Sequence, residues 1–154
     1  MKLISWNVRG LNGPGKYRMI KSMIQKEKPQ ILFLQETKCN NNLLGAILSK
    51  AWPSSSSVAV DASEFSRGLA IAWDTCSMQL SDFHATHNLI KATFHPIDTN
   101  IHGHLTNVYF PQDQCSKIAL LDTIVHLNTN RIHPLWMIGG DFNMILRMEE
   151  RTGG

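Results

Sequence analysis

Four bulky apolar residues, Leu135-Trp136-Met137-Ile138, run into Gly139-Gly140 and are followed at once by Asp141-Phe142-Asn143. Such a run predicts a strand buried on both faces. The glycines let the backbone turn tightly, and Asp141 and Asn143, two apart, can point to the same side. A carboxylate and an amide then share a strand end, where one can orient or deprotonate a water and the other can donate to an anionic oxygen. The same residues also suit an Asx turn after a core strand. The motif alone leaves both readings open, and the rest of the chain decides between them.

The pattern recurs. A first strand, Lys2 to Val8, carries Asn7 at its end and runs into the glycine-rich loop Arg9 to Gly15. Tyr17, Ile20, Met23 and Ile24 then recur at helical spacing, with the basic residues Lys16, Arg18, Lys21, Lys26 and Lys28 around them and Glu27 as the one acid. Lys28-Pro29 ends that helix, because the residue before proline is pushed out of the helical region. The buried strand Ile31 to Leu34 follows and stops on Gln35-Glu36-Thr37, so Glu36 takes the place that Asn7 and Asp141 take elsewhere.

A helix over Asn41 to Ala51 comes next, with Leu43, Leu44, Ile47, Leu48 and Ala51 on one stripe and asparagines before it to cap it. Ser54 to Ser57 reads as a loop before a strand around Val58 to Val60, and Leu69 to Trp73 as a further strand. Met78 to Phe83, Leu89 to His95 and His102 to Tyr109 read as an antiparallel meander, with Tyr109 where the last strand leaves the sheet. Ser116 is the predicted cap of a helix carrying Ile118, Leu121, Ile124 and Val125.

Composition removes several classes. The longest apolar run, Leu69 to Trp73, is far short of a membrane span, and the amino terminus lacks the apolar core of a signal peptide. Cys39, Cys76 and Cys115 are an odd number without C-x-x-C spacing, which suits a nuclear or cytoplasmic setting better than a disulfide scaffold. Fifteen Lys and Arg against twelve Asp and Glu give a net charge of +3, which tolerates a polyanionic partner without requiring one. The seven histidines show no metal-binding spacing and read as ordinary surface or turn residues; His102 and His104 alternate on one strand face.

Asn7, Glu36, Tyr109 and the Asp141/Asn143 pair thus close four strands in chain order. Carried by Ser5-Trp6-Asn7-Val8-Arg9-Gly10, Gln35-Glu36-Thr37, Asn107-Val108-Tyr109-Phe110-Pro111 and Gly140-Asp141-Phe142-Asn143, the sequence resembles the endonuclease/exonuclease/phosphatase superfamily. Within it the chain is most similar to the apurinic-like endonuclease domain of plant LINE-type (non-LTR) retrotransposon polyproteins, and the tail Glu149 to Gly154 shares that similarity.

The resemblance implies a two-sheet α/β sandwich of the DNase I-like type and a metal-dependent phosphodiester hydrolase that nicks DNA. Glu36 would be the carboxylate ligand of Mg²⁺ or Mn²⁺, and Asn7 would hold Glu36 and the phosphate in place. Asp141 would orient and deprotonate the attacking water, Asn143 would hydrogen-bond the scissile phosphate, and Tyr109 would contact a phosphate oxygen. DNA is the implied partner, with a reverse-transcriptase domain expected in cis in a full-length element. Two features depart from the family pattern. Arg9 stands where some abasic-site enzymes carry an acid, and the late Asp-His pair has no counterpart in the eleven residues after Asn143. The expectation is therefore the amino-terminal portion, residues 1–154, of a single domain incomplete at its carboxy terminus and inactive as a fragment. A small-phosphoester hydrolase of the same superfamily and a non-catalytic nucleic-acid-binding remnant remain as alternatives.

Overall fold

The structure, a computed structural model, describes residues 1–63, 66–130 and 132–144. The tail that shares the resemblance lies outside them. Eleven elements follow in the order β1 (Leu3–Asn7), α1 (Lys16–Glu27), β2 (Ile31–Gln35), α2 (Asn41–Ala51), β3 (Ser55–Val60), β4 (Leu69–Asp74), β5 (Met78–Ala85), β6 (Leu89–Pro96), β7 (Gly103–Tyr109), α3 (Gln114–Thr129) and β8 (Leu135–Asp141). They form two four-stranded sheets, ordered β1-β2-β4-β3 and β5-β6-β7-β8.

Each sheet contains one parallel pair, made by a helix that crosses back over the sheet: β1 with β2 through α1, and β7 with β8 through α3. Parallel strands end on the same edge, so the register that pairs Asn7 with Gln35 and Tyr109 with Asp141 gathers four strand ends into two adjacent couples.

The pleat explains why β2 reads as unbroken apolar sequence. Ile31 and Phe33 point between the sheets, where they meet Ile71, Trp73, Ile90, Phe94 and Leu105. Leu32 and Leu34 point the other way, onto Ile20 and Ile24 of α1 and Leu44 and Leu48 of α2. A third cluster, Leu89, Val108, Phe110 and Leu120, joins the second sheet to α3. The layers are therefore helix, sheet, sheet, helix.

Four expectations change. Strand β3 starts at Ser55, because as an edge strand it accommodates exposed serines. Helix α3 is capped by Asp113, whose carboxylate accepts the Ser116 N–H, so Ser116 lies inside the first turn. Its buried face is Leu120 with Ile124 and Leu127, whereas Ile118, Leu121 and Val125 are exposed. Both triplets have helical spacing, and only the sheet's position selects between them. Strand β8 is not covered on both faces: among the described residues it ends its sheet, with Leu135 50% and Ile138 39% exposed, while Met137 packs between the sheets. The three cysteines are free, Cys39 buried and the other two exposed. Among the described residues no helix is long and apolar enough to cross a membrane.

Candidate active site

The couples of strand ends face each other across the gap between the sheets, and two buried amides fix how they meet. Asn107, fully buried on β7, donates to the carbonyls of Leu34 and Ala70 in the first sheet at 3.1 and 2.8 Å. Its own oxygen accepts from Gln35 Nε2 at 2.7 Å, and the same Gln35 nitrogen reaches Ser5 Oγ at 3.1 Å. Every polar group of the Asn107 amide is used, as a buried amide requires.

Glu36 follows Gln35 directly and leaves the strand in the left-handed region (φ 51°). Arg9, Lys38 and Asn143 do the same, at φ 52°, 51° and 45°. Non-glycine residues in this region cost on the order of 1–3 kcal/mol each, and such strain tends to collect where side chains must be aimed. Gly139 and Gly140 stay within β8 rather than forming a turn, and at Gly140 (φ +145°) an added Cβ would run into the Val108 carbonyl, so the stretch of strand that presents Asp141 accepts glycine alone.

The aimed side chains form one hydrogen-bonded chain. The Asn7 amide donates to Glu36 Oε1 at 3.2 Å and to Asp141 Oδ2 at 2.7 Å, and the Tyr109 hydroxyl donates to Glu36 Oε1 at 3.1 Å. Asp141 Oδ1 accepts the Asn143 backbone N–H at 3.0 Å. The Asx turn and the shared polar site are thus both present, one on each carboxylate oxygen. Asn7 likewise does two things, since its Oδ1 accepts the Arg9 N–H at 3.1 Å. The Asn143 side chain donates to the Phe110 carbonyl at 2.6 Å, and its backbone carbonyl accepts from Lys117 Nζ at 2.9 Å.

Electrostatics follow from this packing. Burial works to raise the Glu36 carboxyl, but the donors Asn7, Tyr109 and Lys38 together with the Arg67 charge outweigh it, so its pKa lies below the usual carboxylate value. Burial, and with it the Glu36 carboxylate, pushes the Tyr109 phenol above its ordinary value against an opposing hydrogen bond from Asn143. The phenol therefore stays protonated at neutral pH, as its hydrogen bond to Glu36 requires. Beside this chain lies an open cleft of about 790 Å³ whose walls include Ser5, Asn7, Gln112, Lys117, Asp141 and Asn143.

All five residues singled out from the sequence, Asn7, Glu36, Tyr109, Asp141 and Asn143, are brought together. The donor set suits a hard divalent cation: Glu36 is a carboxylate with a 12% exposed side chain that already draws Lys38 Nζ to 3.4 Å and Arg67 Nη1 to 3.6 Å. Mg²⁺ commonly takes only one or two protein carboxylates and completes its shell with water and phosphate. Among the described residues no group of three or more His, Cys, Asp or Glu converges.

The histidines lie elsewhere. The ring of His102 stacks on His95 at 4.3 Å and on His133 at 5.4 Å, and His104 lies 5.3 Å from His133. His104 is buried rather than a surface residue. It sits on β7 five residues before Tyr109, which in an extended strand is roughly 17 Å away. His104 therefore lies at the far end of β7 from the candidate site.

The Endonuclease/Exonuclease/phosphatase family profile matches residues 4–152. The chain belongs to that family. Solved structures agree on the fold and on its DNase I-like architecture. The human Nocturnin catalytic domain superposes with a TM-score of 0.75 at 15% identity, covering 94% of this chain and 64% of that one. D. rerio TDP2 complexed with single strand DNA product gives 0.73 at 16% identity, covering 94% and 61%. The mannosyl-6-phosphatase of Bacteroides thetaiotaomicron gives 0.72 at 18%, covering 93% and 65%. The chain thus spans a little under two thirds of these relatives' length. No curated protein matches the sequence.

Members of the endonuclease/exonuclease/phosphatase family hydrolyse phosphoesters and generally use divalent metal ions, in keeping with the chemistry of this site. Sequence reasoning missed Gln35, Asn107, Lys38, Arg67 and Lys117. For Asn107 a signal was available: an amide two residues before Tyr109 in the same strand lies on the same face as the tyrosine. Arg67 and Lys117 come from loops and helices whose proximity only the fold reveals.

Proposed function

We propose that this family member is a metal-dependent phosphodiester hydrolase of the retrotransposon endonuclease type, acting on DNA. Residues 1–154 would form the amino-terminal portion of its single catalytic domain. The observation that carries this reading is the chain Glu36–Asn7–Asp141, in which one amide holds two carboxylates at 3.2 and 2.7 Å. Glu36 would hold a Mg²⁺ or Mn²⁺ ion, with Asn7 beside it, and the ion would supply charge neutralisation at the phosphate.

The remaining work falls to the protein. Asp141 accepts a proton from a water as the water oxygen attacks phosphorus, and the P–O bond to the sugar oxygen breaks, the departing oxygen taking a proton from solvent water. Tyr109, turning its hydroxyl from Glu36, and the second N–H of the Asn143 amide would donate to phosphoryl oxygens as negative charge builds on them, and Lys117 at the cleft wall would add positive charge. TDP2's single-stranded DNA product complex supports a nucleic-acid substrate, and the plant LINE-like motifs support a retrotransposon source with a reverse-transcriptase domain in cis. A second reading, a small-phosphoester phosphatase, is favoured by the similarity to mannosyl-6-phosphatase.

Nicking of supercoiled plasmid in Mg²⁺ tests the proposal, with p-nitrophenyl phosphate hydrolysis alongside. The 154-residue chain should nick near background, since each lost transition-state donor commonly costs about a hundred- to a thousandfold. Extension by a family-like carboxy-terminal segment should restore nicking, and Asp141→Asn should abolish it again. Phosphatase activity without nicking would favour the second reading, and an Asp141→Asn variant as active as its parent would remove Asp141 from the chemistry.

A further inference from the structure

Glu36 has two cationic neighbours that this chemistry leaves unused. Lys38 Nζ and Arg67 Nη1 lie 3.4 and 3.6 Å from its two oxygens, longer than the 2.7–2.9 Å typical of a charge-assisted hydrogen bond. Both side chains are about half exposed, at 48% and 53%. Their backbones, by contrast, are fixed to each other: the Lys38 N–H donates to the Arg67 carbonyl at 2.9 Å, and the Thr37 N–H to the Gly68 carbonyl at 3.2 Å. Gly68 (φ +87°) has no room for a Cβ beside the Thr37 hydroxyl, so this short ladder tolerates no other residue there.

Rigid attachment with loose, solvent-reaching head groups suits cations that exchange partners. Fold stability does not account for them, because half-exposed pairs contribute little and Oε1 already accepts from Asn7 and Tyr109. A divalent ion on Glu36 would repel both. Half exposed beside Glu36, both head groups are accessible to the phosphates of a strand bound at the site, and the arginine fork matches a phosphate in a bidentate way.

We infer that Lys38 and Arg67 neutralise Glu36 when no divalent ion is bound and move to a backbone phosphate of a nucleic-acid strand when one is. The inference rests on the reading of Glu36 as the ion's ligand and adds a coupling to it. A bound strand draws the cations away and tightens ion binding, and by linkage the ion tightens strand binding.

Mn²⁺ titration by water-proton relaxation, with and without single-stranded oligothymidylate, tests this on the wild-type chain, Arg67→Met, Lys38→Met and the double variant. Arg18→Met, on the exposed face of α1, is the control, and thermal melts establish that each variant is folded. Each single variant should bind Mn²⁺ about two- to fivefold more tightly, the range open to a half-exposed ion pair. Oligothymidylate affinity, measured by fluorescence anisotropy in Mn²⁺, should fall, and its log-log salt slope should shrink by about 0.7 per contact removed. The strand should tighten Mn²⁺ binding in the wild type and not in the double variant, and Lys38→Arg and Arg67→Lys should retain both properties. Glu36-dependent Mn²⁺ binding that is unchanged in Arg67→Met and Lys38→Met would overturn the inference, as would tighter Mn²⁺ binding with an unaltered salt slope. Mn²⁺ binding that survives Glu36→Gln would instead overturn the reading of Glu36 on which the inference rests.

Discussion

Gln35 Nε2 donates to Asn107 Oδ1 at 2.7 Å, and this bond joins the two sheets one residue from Glu36 and two from Tyr109. The spacing of the candidate site across the sandwich is therefore set by a pair of directional amides in an otherwise apolar interface. Directional bonds fix position and orientation, whereas apolar contacts tolerate sliding.

Asn107→Leu removes three hydrogen bonds, leaving the Leu34 and Ala70 carbonyls facing apolar carbon and Gln35 Nε2 with Ser5 Oγ alone. Each buried group left unpaired costs about 1–3 kcal/mol. Urea unfolding should show a loss of about 3 kcal/mol or more. A midpoint equal to the wild type's would mean that the amide pair is dispensable.

Stability should depend on pH through Glu36. Its folded-state pKa is held below the ordinary 4.5, so its contribution is fully present above that value and is lost as pH falls through the folded one. With chelator present, the stability difference between wild type and Glu36→Gln should shift in favour of Gln on going from pH 6 to pH 3. A difference that stays constant over that range would show that the carboxylate gains nothing from its donors.

Two glycine substitutions should act in opposite directions. Gly140→Ala forces a Cβ into the Val108 carbonyl at φ +145° and should destabilise by several kcal/mol, on the order of other strained backbone sites, while misplacing Asp141. Gly45→Ala, in the interior of α2 with open space around it, should stabilise by about 1 kcal/mol. Thermal melts of the two variants side by side decide the matter, and destabilisation by Gly45→Ala would contradict the open space at that position.

Ile118, Leu121 and Val125 on α3, with Leu135 and Ile138 on β8, are exposed apolar side chains. Exposed apolar surface and an unpaired strand edge favour association. The 154-residue chain should bind a hydrophobic dye and self-associate in sedimentation, and Val125→Glu with Leu121→Lys should reduce both. A sharply melting monomer without dye binding would show that this surface is harmless as it stands.

Much of the layout was legible because local chemistry and global fold agree. Ile31 to Leu34 is apolar at every position, and that is what a strand sandwiched between a sheet and helices demands. Asn7, Glu36, Tyr109 and Asp141 could be grouped because each ends a strand, and parallel pairing aligns such ends. Helix α3 was misread for the converse reason: it carries apolar residues on two faces, and the covered one is chosen by contact with Leu89 and Phe110, which no window of sequence contains. The Lys38–Arg67 pairing was invisible because it depends on strand order, with β4 rather than β3 placed beside β2.

The bond between Asn7 and Asp141 spans 134 positions of chain. The first sheet uses only residues up to Asp74, so it can be finished during synthesis while the second is still being made. Asn7 must then wait for the last strand before its second carboxylate partner exists. A chain interrupted anywhere before β8 therefore has Asn7 and Glu36 without Asp141, and the paired-carboxylate arrangement is withheld from every unfinished copy.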